Sequence, residues 1–137
     1  MKRLVFLFLT MIFFATSCEK DLKLSEFAIG TWKSQELVLG DSPFGTFTAV
    51  IKTDNTYTLK FELSDGSASL TCPATGYTID DGKSQITITE PDFDPNDGVT
   101  PTGTQTFDVE WNKDGKVMTW LPVDGGTDAP TLVWTRQ

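Results

Sequence analysis

Thr56-Tyr57-Thr58-Leu59-Lys60-Phe61-Glu62-Leu63 is the stretch that decides the fold. Tyr57, Leu59, Phe61 and Leu63 fall on one face of an extended chain, and Thr58, Lys60 and Glu62 on the other. Successive side chains of a strand point to opposite sides, so this alternation predicts a strand with one face in a core and the other in water. The same period recurs outward along the chain. Ile86 and Ile88 alternate with Thr87 and Thr89, and Phe107, Val109 and Trp111 alternate with Asp108 and Glu110. No apolar stripe with a helical 3.6-residue period follows residue 30. Leu22 to Ile29 has room for one or two helical turns at most.

Turn chemistry cuts the chain into eight strands, near 31–38, 46–53, 56–63, 68–79, 84–90, 105–111, 116–122 and 131–136. Asp54-Asn55, Ser64-Asp65-Gly66, Asp80-Asp81-Gly82 and Asn112-Lys113-Asp114-Gly115 are dividers of the kind that tight turns favour. Eight short strands joined by sequential hairpins predict an all-β, eight-stranded up-and-down antiparallel barrel. Closure removes the unpaired edges that an open sheet would expose.

The N-terminus predicts an export signal over residues 1–17. Lys2 and Arg3 form a basic start, Leu4 to Phe14 is apolar apart from Thr10, and Ala15-Thr16-Ser17 are small. The apolar run is about half the ~20 residues that a membrane-spanning helix needs. Residues 18–28 then read as a tether, and residues 29–137 as one barrel domain. Removing Lys2 and Arg3 with the leader takes the net charge from −8 to −10, a field that repels nucleic acid and anionic headgroups. Only Cys72 remains as a thiol beyond Cys18, so no disulfide framework forms within the domain. Cys72 reads as a small buried hydrophobe.

Two short motifs carry family resemblances. Ala15-Thr16-Ser17-Cys18 resembles the lipobox of bacterial lipoproteins, with Ala15 where leucine is commonest. That resemblance implies lipid on Cys18, an anchor in the outer membrane of a bacterial envelope, and a membrane partner reached through the lipid. Glu19-Lys20-Asp21 resembles the charged tag that sends some such lipoproteins to the cell surface. Gly30-Thr31-Trp32 resembles the Gly-x-Trp that opens the first strand of lipocalins, and Arg136 stands where lipocalins pack a basic residue over that tryptophan. The chain is thus similar to the lipocalin-like domains of small Bacteroidetes-type lipoproteins. The resemblance implies that Trp32 and Arg136 meet at barrel closure. The chain is shorter than a usual lipocalin and has no helix after its last strand.

Catalytic chemistry finds little purchase. The chain has no histidine, so the usual proton shuttle near neutral pH is missing and Cys72 has no imidazole partner. No zinc spacing or phosphate loop is present. Asp92-Phe93-Asp94-Pro95-Asn96-Asp97-Gly98 has the carboxylate spacing of a calcium loop, but Asp97 stands where glycine is needed and Gly103 where a bidentate glutamate is needed. An acidic solvated loop is the better account, and neither metal nor cofactor is expected.

Binding remains. In an up-and-down barrel the loops at 39–45, 64–67, 91–104 and 123–130 share one end, and they carry aspartates without a single Lys or Arg. Long loops on a rigid scaffold are where binding sites lie. Phe44, Asp92, Phe93, Asp94 and Asp97 at that end are candidates for a cationic protein partner. Phe47, Tyr57, Phe61, Phe107 and Trp111 are expected inside, where five aromatics either line a pocket for a small apolar ligand or fill the barrel. The expected function is therefore a non-enzymatic ligand-binding lipoprotein. The alternative is an interaction lipoprotein with a filled barrel, such as an envelope-complex subunit or an inhibitor of a cationic secreted enzyme.

Overall fold

The computed structural model describes residues 22–123 and 131–137. The leader, Cys18 and Glu19-Lys20-Asp21 lie outside the described residues, as do Asp124 and Asp128 of the last loop. A single helical turn, α1 (Leu24–Phe27), precedes ten strand segments. These are β1 (Gly30–Ser34), β2 (Leu37–Leu39), β3 (Ser42–Ile51), β4 (Thr56–Leu63), β5 (Ser69–Thr71), β6 (Thr75–Asp80), β7 (Gln85–Thr89), β8 (Thr104–Trp111), β9 (Val117–Pro122) and β10 (Leu132–Arg136).

The ten segments make eight staves. β1 and β2 both pair with β3, and β5 and β6 both pair with β4, so the first and fourth staves are each interrupted once. At the first break the Ser34 hydroxyl accepts the Phe47 N–H at 2.8 Å, satisfying an amide where the ladder lapses. Each stave pairs antiparallel with the next, and β1 pairs with β10 through Trp32↔Arg136 and Ser34↔Trp134. The sheet is thereby a closed, eight-stranded, up-and-down antiparallel barrel, as the alternation predicts.

One boundary differs and changes an end of the barrel. The expected 39–45 loop is a tight turn, because β3 already begins at Ser42 and pairs Leu39↔Ser42 and Val38↔Pro43. Ser42-Pro43-Phe44-Gly45 has turn composition, yet its pairing with β4 starts only at Gly45. Pro43 therefore sits in an overhang where a missing N–H is tolerated. Phe44 is consequently a strand residue near the rim rather than a loop tip.

The closure is built around Arg136. Its guanidinium lies 4.3 Å from the Trp32 ring centroid and 5.3 Å from that of Phe27. It donates to the carbonyls of Gly115 (3.0 Å), Ile29 (2.9 Å) and Phe27 (2.5 Å). Gly30 is required beside it: φ is +141°, and a Cβ there would lie 2.7 Å from Nη1 of Arg136. The Gly30-Thr31-Trp32 motif thus has a steric reason in this chain.

The tether assignment needs correction at its C-terminal end. Leu24, Phe27 and Ala28 are buried, and Phe27 stacks on Trp111 (5.4 Å between centroids) and tilts against Trp32 (5.2 Å). Trp32 donates its indole N–H to the Ala28 carbonyl at 2.8 Å. Ser25 is held from the β6–β7 turn, its backbone N–H and hydroxyl both donating to Asp81 (2.8 and 2.7 Å). The turn is a plug that forms the barrel floor. Apolar side chains facing a barrel end are buried whether they come from a stave or from the segment leading into it.

Candidate functional site: an apolar cavity under the long-loop end

The α1 turn closes the floor, and the opposite half of the barrel has an open interior. A cavity of about 340 Å³ lies there. Its walls are inward positions of the staves: Phe47 and Ala49 on β3, Tyr57 and Leu59 on β4, Ile88 on β7, and Phe107, Trp120 and Trp134 on β8, β9 and β10. Leu132 adds to the wall, and Glu90, Pro91, Phe93 and Gln105 stand where the β7–β8 loop leaves and rejoins the barrel. The cavity therefore belongs to the long-loop end.

Three of the five interior aromatics expected from the sequence line this space: Phe47, Tyr57 and Phe107. Two do not. Trp111 is the last residue of β8 and lies at the floor, stacked on Phe27. Phe61 packs on Phe47 (5.0 Å) and Phe44 (5.3 Å) at the rim, outside the cavity lining. Alternation decides which face a side chain takes but not how far along the barrel axis it sits, so Trp111 lies inside the barrel but below the cavity, and Phe61 at its rim. Trp120 and Trp134 are not among the residues expected inside, although each sits at a buried, alternating position of its strand.

The polar groups of the lining are few. Tyr57 donates its hydroxyl to the Thr89 carbonyl at 2.6 Å, and burial pushes its phenol well above the ordinary range. It thus presents a ring to the cavity rather than a free hydroxyl. The buried Trp134 indole N–H finds no acceptor among the described residues. Cys72 is buried between β5 and β6, its amide bonded to the Leu59 carbonyl at 2.8 Å. Burial, with Asp92 nearby, raises its thiol, which disfavours the reactive thiolate.

The loop aspartates have structural work of their own. Asp92 accepts the Asp94 N–H (3.1 Å), Asp94 the Asn96 N–H (3.4 Å) and Asp97 the Val99 N–H (2.7 Å). Side chains that bond backbone two residues on are the usual way Asp shapes a loop. Among the described residues, no group of three or more His, Cys, Asp or Glu is disposed to hold a metal ion. Phe93 is exposed and lines the cavity mouth, so it joins the interior site to the loop surface. Among the described residues, seven of the eight large apolar side chains left exposed lie toward this end: Val38, Leu39, Phe44, Leu70, Phe93, Val99 and Val123. Apolar surface gathered at one end of a small domain marks a contact surface.

No protein-family model, curated protein or solved structure matches this chain. Its function is therefore read from its own residues.

Proposed function

We propose that this chain is a non-enzymatic, lipocalin-like lipoprotein that holds one small, mainly apolar ligand in its barrel. Lipid on Cys18 anchors it in the outer membrane of a bacterial envelope, with the acidic loops turned away from the bilayer at the cell surface. The observation that carries the binding reading is the cavity of about 340 Å³. Small-molecule sites begin at about 300 Å³, and eight-stranded barrels have room for one small ligand. A barrel filled with side chains, as an envelope-complex subunit or enzyme inhibitor would have, leaves no such space. The absence of histidine from the sequence and the raised, buried Cys72 thiol favour binding over catalysis.

The test is mass spectrometry of the protein isolated from its own host under non-denaturing conditions, alongside titration with the neutral fluorophore N-phenyl-1-naphthylamine. A co-purifying small molecule, or saturable fluorophore uptake abolished by Leu59→Trp in a folded protein, is the expected result. No bound molecule and no uptake would overturn the reading. The exposed apolar side chains at the mouth favour a second reading, a protein partner seated on that end. It would be supported by a stoichiometric complex that Phe93→Ala weakens while fluorophore uptake persists.

A further inference from the structure

Glu90, an exposed residue at the start of the β7–β8 loop, differs from Asp65, Asp92, Asp94 and Asp97 of the same end. Asp92, Asp94 and Asp97 each accept an N–H of their own loop, and Asp65 accepts that of Ser67. Among the described residues, Glu90 accepts no side-chain hydrogen bond, makes no ion pair and is the one charged residue in the cavity lining. Its position is prepared by Gly103, whose amide carbonyl bonds the Glu90 N–H at 2.9 Å. A Cβ on Gly103 would lie 2.5 Å from the Glu90 carboxylate, so that carboxylate occupies the room a larger residue would take.

We infer that the cavity's ligand is a cationic amphiphile, its apolar body among Leu59, Phe107 and Trp120 and its ammonium or equivalent group at Glu90. The inference rests on the ligand-binding reading above and names the chemistry of that ligand. Three features support it. The walls are apolar, so only the ligand's body is sorted by the interior. The mouth supplies a carboxylate without an internal partner among the described residues, and the aromatic side chain of Phe93 lines the same mouth, a residue type that attracts ammonium groups. The surrounding loops, 64–67 and 91–103, contain aspartates and no Lys or Arg of their own, which favours a cationic head over an anionic one.

The experiment uses protein purified from cells expressing the full chain, held in phosphatidylcholine nanodiscs, with empty nanodiscs subtracted. Decylamine (a cation at neutral pH), decanol and decanoate share one chain and differ in the head. Each is titrated against bound N-phenyl-1-naphthylamine. Decylamine is expected to displace the fluorophore roughly tenfold more tightly than decanol, with decanoate weakest. Glu90→Gln should bring decylamine to the level of decanol and leave decanol unchanged, which also shows that the variant is folded. Equal or tighter binding of decanol or decanoate in the wild type overturns the inference alone. So does a Glu90→Gln variant that keeps the preference for the amine. If neither the fluorophore nor any of the three binds, the ligand-binding reading falls and this inference with it.

Discussion

Arg136→Ala tests the barrel closure. The substitution removes three hydrogen bonds to backbone carbonyls and a cation–ring contact at 4.3 Å over Trp32. A cation over an aromatic face contributes about 0.5–2 kcal/mol, and a hydrogen bond from a charged donor about 1.5–3 kcal/mol. The three bonds do not add in full, because the site is only part-buried and water can reach the carbonyls once the side chain is gone. A net loss of about 2–4 kcal/mol follows, which for a domain of this size is a fall of roughly 8–16 °C in the melting midpoint. Arg136→Lys should recover less than half of it, since a lysine keeps the charge but cannot reach three carbonyls with a planar fork. The assay is thermal and urea unfolding followed by near-ultraviolet circular dichroism, with fluorophore uptake as the control. Uptake by the folded variants should be unchanged, because the cavity lies at the other end of the barrel. A midpoint within about 2 °C of the wild type, or full rescue by lysine, would show that the guanidinium does not hold the floor.

Three further outcomes are expected. Hydrogen bonds from Ser25 depress the Asp81 carboxyl in the folded state, and Asp54 and Asp65 are lowered by Thr56 and Ser67 in the same way. Their contribution is present above the ordinary carboxylate range and is lost as the pH falls through the depressed values, so unfolding midpoints should drop on the acid side of about pH 4, and Asp81→Ala should flatten that limb. Cys18→Ala should abolish fatty-acid labelling and release the protein from membranes; equal labelling of the variant would refute the anchor. Asp92→Asn, Asp94→Asn and Asp97→Asn together keep an acceptor oxygen at every capped amide, so the melting midpoint should hold. Stopped-flow association with decylamine should slow nonetheless, and become less salt-dependent, because exposed charges act over about 8 Å at physiological salt.

Much of the architecture was legible in local chemistry. Thr56–Leu63 reads as a strand from its alternation and is one, and turn residues locate seven of the eight staves to within about two residues. The exceptions lie where local signals compete with pairing. Ser42-Pro43-Phe44-Gly45 looks like a turn, but β2 recruits it into β3. The fourth stave is broken at Cys72–Ala74, where Pro73 has no N–H to give to a ladder. The cavity was least legible. Alternation names inward residues, and Phe47, Tyr57 and Phe107 were found that way, but it treats Trp111 on the floor and Trp120 in the wall alike.

The period-two pattern, the turn residues and the Gly30–Trp32 motif are local properties, and each sets a backbone conformation or a side-chain direction within a few residues. They were enough to determine an all-β meander with one apolar face. Depth along the barrel axis is a different quantity, because it depends on the register summed around all eight staves. Only that sum brings Glu90 of one loop, Leu59 of β4 and Trp120 of β9 to a common space, and sets Arg136 over Trp32 across more than a hundred residues of chain. The plug was decided at the same level. Leu24 and Phe27 have no strand period to announce them, and they are buried because a closed barrel has an open apolar end that must be covered.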